Sequence, residues 1–264
     1  MEAEHSTIEA ETPVRLHVAT ASFSDIRAAF AAGARDITKR PLLSMFFGLV
    51  FALFGAALIS GLLVFEQIWV VISAAVGFPL VAPFLAAGLY EMSRRLKTGE
   101  PFTAGDIFGV IFTQQRREFG WMSFIVLFVF WIWAYQVRLV LALTMHYKSV
   151  GSLEQLFDAL FTTGDGLTFL LVGTIIGAII STILFSISVI SMPLLLDQRV
   201  DIVTAMITSV KSVLASPFVM LCWGVMIGAM SFAAIAPAFL GVIVVFPILG
   251  HASWHLYERL VTAE

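Results

Sequence analysis

Five continuous stretches and one proline-interrupted stretch of this 264-residue chain run for about twenty residues almost free of charge. That is the length an α-helix needs to cross roughly 30 Å of hydrocarbon at about 1.5 Å per residue. Hydrophobic residues make up 59% of the chain and charged residues 12%, against roughly half and a quarter in ordinary soluble domains. A soluble core cannot absorb that excess. Apolar continuity places the spans near Leu42–Phe65, Ile68–Tyr90, Phe119–Leu143, Leu167–Leu196, Phe218–Ala234 and Ile235–Tyr257. The last two abut, and Ala234-Ile235-Ala236-Pro237 supplies the turn between them.

The basic residues set the orientation, because short basic loops resist translocation. The N-terminal segment (Arg15, Arg27, Arg35, Lys39, Arg40), the second loop (Arg94, Arg95, Lys97, Arg116, Arg117), the fourth loop (Arg199, Lys211) and the tail (Arg259) hold 13 of the 15. The opposite face keeps Arg138 and Lys148, with the acids Glu66, Glu154, Asp158 and Asp165. Both termini are therefore expected in the cytoplasm. Glu2, Glu4, Glu9 and Glu11 precede any apolar run, unlike a secretory signal, so no cleavage is expected. The net charge of -3 and the scattered basic residues give no nucleic-acid footprint. The single cysteine, Cys222, excludes an intrachain disulfide and any CxxC metal pattern.

Three segments ahead of hairpins share an Asp-Ile pair that opens a helical stretch, at Asp25, Asp106 and Asp201. The interval from Asp25 to Pro41 equals that from Asp201 to Pro217, and each proline begins a span, where its missing N–H costs nothing. Phe23, Ile26, Phe30, Ala34 and Ile37 form an apolar stripe in the first copy, with Asp25, Arg27, Arg35 and Asp36 elsewhere on the wheel. Ile202, Met206, Val210 and Val213 repeat the stripe in the third copy; the middle copy, with Ile107 and Ile111, is weaker. The exits rhyme as well, Phe78-Pro79 with Leu89-Tyr90-Glu91 matching Phe246-Pro247 with Leu256-Tyr257-Glu258. The expected fold is all-α and polytopic: six transmembrane helices as three hairpins, each preceded by a cytoplasmic interfacial amphipathic helix. Residues 1–20 are expected to be a disordered polar tail and 21–260 the membrane domain, with repeat units of about 21–95, 100–197 and 198–260.

Lipid removes most of the hydrophobic drive between spans, so small residues must let backbones approach. Gly48, Ala52 and Ala56 on the first span, Gly173 and Gly177 on the fourth, and Gly224 and Gly228 on the fifth form such rows. Packing within the chain is their simplest use; homo-oligomerisation is the other. Ser152 with Gln155 reads as a capping box for a short outer helix that Gly164 would end. Arg138 lies where its side chain can snorkel to the outer surface, and Trp131, Trp133 and Tyr135 read as lipid-facing or belt residues.

His251 and His255, spaced i, i+4, are the best chemical lead, since their rings share one helix face as a cofactor clamp requires. The competing reading is that water and backbone satisfy them at the cytoplasmic interface. A metal would want further ligands, and the other histidines are His5, His17 and His146. No catalytic arrangement appears, and no cofactor is expected.

The Asp25-Ile26 helix, Pro41, the Pro79 to Glu91 exit with Arg94-Arg95, and the His251 to Glu258 ending together resemble a bacterial integral membrane family known as domain of unknown function 2189. The resemblance runs from about Arg15 to Leu260 and implies an inner-membrane location without an activity. Some members are labelled as resembling subunit I of cytochrome c oxidase, a bundle with several mid-membrane histidines; this chain offers only His251 and His255, on one helix. The reading that results is a non-enzymatic accessory or assembly partner of a membrane complex. A small-solute transporter or channel, and haem or metal binding at His251 and His255, are the alternatives. The expected partners are the lipid bilayer and a membrane protein or second copy, with no nucleic acid.

Overall fold

A computed structural model describes residues 15–63, 68–113, 116–145 and 153–263. The chain opens with strand β1 (Leu16–Val18) and helix α1 (Phe23–Lys39), then α2 (Pro41–Leu63) and α3 (Ile68–Thr98). A short α4 (Ala104–Thr113) leads into α5 (Arg116–Met145), α6 (Leu153–Thr162) and α7 (Gly164–Ser188). The remainder is α8 (Ser191–Asp197), α9 (Ile202–Ala215), α10 (Pro217–Ile235), α11 (Val242–Leu260) and β2 (Val261–Ala263). Residues 1–14, Glu66, Lys148, His5, His146 and the Ser152 cap lie outside the described residues.

Four of the described helical segments are long and apolar enough to cross a membrane: Pro41–Gly61, Glu118–Met145, Gly164–Asp197 and Pro217–Ile235. The protein is thus an all-α polytopic membrane protein. The last helix begins at Val242 rather than Ile235, because the turn runs from Ala236 to Gly241 and includes Ala238 and Phe239 in left-handed conformation. That geometry carries the Phe239 ring onto Gly55 of α2, where a β-carbon would overlap it.

The ends of the described chain are not loose. Leu16–Val18 pairs antiparallel with Val261–Ala263, and the Ala19 N–H donates to the Leu260 carbonyl at 2.8 Å. This corrects the expectation of a disordered tail through residue 20: alternating residues of the segment find backbone partners that only the far end of the chain provides.

The three Asp-Ile pairs do open helices, but not in one register. Asp25 is the third helical residue of α1 and closes a reciprocal box with the cap Ser22; Asp106 does the same for α4 with Thr103. Asp201 is itself the cap of α9 and accepts from the Thr204 N–H at 3.0 Å. Equal spacing to the proline therefore conceals a helix three residues shorter, 14 residues in α9 against 17 in α1. The junctions match closely. A single residue separates each amphipathic helix from its span, Arg40 at φ -139°, ψ 61° and Ser216 at φ -149°, ψ 64°, and proline opens the helix that follows.

The buried face of α1 differs from the apolar stripe. Ile26, Ala29, Gly33, Asp36 and Ile37 are buried, while Phe23 is exposed. Small residues win that face because α1 lies tight along α11: a β-carbon on Gly33 would come within 2.6 Å of the Ala252 nitrogen. In α9 the buried set is likewise small, Ala205, Thr208, Ser209, Ser212 and Val213. Ser209 accepts the Ile190 N–H at 3.1 Å, at the kink where α7 gives way to α8 ahead of Pro193. Almost all of α8 is buried, in a core with Trp223, Trp254, Leu256 and Leu260.

Of the expected packing rows, Gly48 of α2 meets the Ile243 backbone, and Ala52 beside it is buried. Ala56 is half-buried, Gly224 rests on the Phe185 ring and Gly177 makes an ordinary contact with Trp133. A β-carbon on Gly173 or Gly228 would meet none of the described residues. Thr163 rather than Gly164 separates α6 from α7 and caps the latter through the Gly166 N–H. Gly48→Leu is expected to lower the thermal midpoint in detergent by several degrees, through loss of the α2–α11 contact. Gly173→Leu is expected to leave it unchanged; equal effects would refute this assignment of the two glycines.

Candidate functional site

The chain's polar chemistry converges where α1, α2, α3 and α11 meet. Each helix contributes from one face: Asp36 from α1, Ser44 from the first turn of α2, Ser93 from α3, and His251 and His255 from successive turns of α11. Asp36, Ser44, Ser93 and His251 are all buried. Buried polar groups are costly unless hydrogen-bonded, and these are.

The bonds run in one chain. Ser93 donates its single hydroxyl proton to Asp36 Oδ2 at 2.9 Å, so His251 Nδ1, 2.7 Å from the same hydroxyl, must donate to it. His251 Nε2 pairs with the Ser44 hydroxyl at 3.1 Å, so both ring nitrogens have a partner. His255 sits differently. Its Nε2 lies 2.7 Å from Asp36 Oδ2 and its Nδ1 3.3 Å from Glu258 Oε2; carboxylates only accept, so the cation satisfies both. Glu258 in turn binds Lys97 at 2.9 Å, and Lys39 reaches Asp36 Oδ1 at 3.4 Å.

Burial by itself would raise the Asp36 carboxyl's pKa. The hydrogen bond and charge of His255, with the Ser93 hydroxyl, outweigh that and hold it below the usual carboxylate range. A second buried acid, Glu91, is held within α3 by Arg94 and Arg95 one turn further on. A pocket of about 130 Å³ opens over the outer end of the network, between Asp36, His255, Arg35, Lys39 and Lys97.

His251 and His255 therefore do share a site, but it is a site of mutual satisfaction. Three of their four ring nitrogens bond serine or the Asp36 carboxylate, and the fourth faces Glu258. Among the described residues no group of three or more His, Cys, Asp and Glu is arranged to hold a metal ion. His17 lies in β1, opposite Thr262. The residues that sequence reasoning missed are Asp36, read only as lying off the apolar stripe of α1, and Ser44 and Ser93, which carry no signal of their own. The run Ala29, Gly33, Asp36 was the available clue, since small residues at helical spacing mark the face that approaches a neighbour.

Asp36→Asn removes the charge and keeps the shape. It is expected to cost about 3 kcal/mol near neutral pH, as for one partner of a buried pair. A depressed folded pKa contributes stability that is present above the unfolded value and lost as pH falls through the folded one. The gap between wild type and variant should thus close below about pH 4. Thermal unfolding in detergent across that range measures it, and a gap independent of pH would exclude an ionised Asp36.

No curated protein and no solved structure matches the chain. A family model does, over less of the chain than the sequence motifs suggested, taking in nearly all of α3 and extending through α8. Of the network it includes Ser93 and Lys97, and it carries no activity. Residues 70–197 match the family described as predicted integral membrane protein (DUF2189), the same family that the motifs of the sequence resemble.

Proposed function

We propose that this is a non-enzymatic protein of the bacterial inner membrane, an accessory or assembly partner of a larger membrane complex. In this reading α3 and α11 also cross, giving six crossings as three parallel hairpins with both termini cytoplasmic. Pairing of β1 with β2 supports an even number of crossings, because it holds both chain ends on one side. The matching breaks at Arg40 and Ser216 support the repeat.

The observation that carries the partner role is the vacant small-residue face of α7 and α10. Among the described residues nothing lies within reach of a β-carbon on Gly173 or Gly228, and between the two helices runs a groove of about 240 Å³ lined by Ala178, Ser181, Thr182, Leu221 and Gly224, among others. No residue in the most apolar stretch of α7 is buried. Backbones approach closely at such rows in a bilayer, and a transmembrane helix of a partner fits there.

The transporter reading has less support. A cavity of about 370 Å³ lies among the membrane helices, but its walls are apolar apart from Tyr90, Ser188, Ser231 and Ser253, with no charged side chain to replace a solute's hydration. Cofactor binding at His251 and His255 would require breaking bonds to Ser44, Ser93 and Asp36.

Affinity purification in mild detergent tests the role. A stoichiometric membrane-protein partner is expected, lost on Gly173→Leu with Gly228→Leu; isolation as a lone monomer whose reconstituted form moves a solute would overturn it. Reporter fusions should place both termini in the cytoplasm, and termini in different compartments would exclude an even number of crossings.

A further inference from the structure

Where α1 hands over to α2, a pocket of about 680 Å³ separates that junction from the start of α4. Its two ends differ in chemistry. Lys39 and Arg40 stand at one end, and Leu43, Phe46 and Phe108 line the other, with Phe46 and Phe108 edge to face at 5.8 Å. Arg40 is the last residue before the apolar run Pro41–Gly61, so its guanidinium sits at the depth of the lipid headgroups whichever way the protein faces.

Arg94, Arg95, Lys97 and Arg259 each pair with a carboxylate. Among the described residues Arg40 has none, and its guanidinium carbon lies over the Phe102 ring, 5.0 Å from the centroid. Lys39 reaches only Asp36, at 3.4 Å, and that carboxylate already accepts from Ser93 and binds His255. The nearby acid Asp106 is occupied by the Thr103 N–H and hydroxyl. Positive charge is therefore left uncompensated at the headgroup level, directly beside an apolar slot open to the bilayer, with Leu42 86% exposed on its rim.

We propose that this pocket binds one anionic glycerophospholipid, its phosphate against Lys39 and Arg40 and one acyl chain along Leu43, Phe46 and Phe108. Basic pockets beside membrane helices select anionic headgroups by charge, and a zwitterionic headgroup brings an ammonium that the same two cations repel. The site is independent of the α7–α10 groove, so its failure would leave the partner reading untouched.

Thermal unfolding of the purified full chain in maltoside detergent tests it, with dioleoyl phosphatidylglycerol, dioleoyl phosphatidylcholine, dihexanoyl phosphatidylglycerol or inorganic phosphate added. Long-chain phosphatidylglycerol in saturating excess is expected to raise the midpoint by on the order of 5 °C. Phosphatidylcholine, the short-chain lipid and phosphate should each give a small fraction of that. Lys39→Gln with Arg40→Gln is expected to abolish the preference, and Arg40→Lys to retain part of it. Native mass spectrometry of the wild type should show one phosphatidylglycerol retained in preference to phosphatidylcholine, a readout that needs no variant. Equal stabilisation by the two long-chain lipids, a preference that survives the double substitution, or an equal effect of phosphate would each overturn the proposal.

Discussion

The contact on which the structure depends is the approach of α1 and α2 to α11. Gly33 lets the first helix lie against the Ala252 backbone, and Gly48 lets the second lie against Ile243. Two helices are thereby brought to one, close enough for short polar side chains to reach across. Without that approach, Asp36 and His255 could not sit 2.7 Å apart, and Ser44 could not span to His251. Van der Waals contact from missing β-carbons and the hydrogen bonds it permits are two parts of a single cause.

Placing ionised groups away from water is expensive, and attraction between them compensates only when every remaining donor and acceptor is used. Here the two buried acids follow different strategies. Glu91 draws both its cations from its own helix, so its neutralisation is local and survives any rearrangement of neighbours. Asp36 draws its partners from three helices, which makes its ionisation a report on whether those helices are in place. The first arrangement stabilises an element, and the second specifies an assembly.

Much of the architecture was legible in the sequence because bilayer solvation imposes long, simple signals. Pro41 and Pro217 announced the starts of α2 and α10, and the Asp-Ile pairs announced helix starts. The apolar stripe of α1 was legible, but which of its residues pack inside the protein was not. In a lipid-facing or interfacial helix the buried side is marked by smallness, which is why Ala29, Gly33 and Asp36 are inside and Phe23 is out. The strand pairing of Leu16–Val18 with Val261–Ala263 depends on two short segments about 245 residues apart (the alternation of each is too brief to stand out). Ser44 and Ser93 became part of a site only through helix geometry that no local pattern records.

The ribbon joining the two ends has a consequence for synthesis. Helix α1 leaves the ribosome before the membrane helices, yet its tightest neighbour, α11, and the strand that pairs with β1 are made only after them. Until then the Asp36 face has neither His255 nor the groove that accommodates Gly33, and every membrane helix must be inserted while the opening helix waits. Closure of the bundle therefore waits for α11, and a chain released before that helix is made would display an unsatisfied acid and an unfilled seam by which quality control could recognise it.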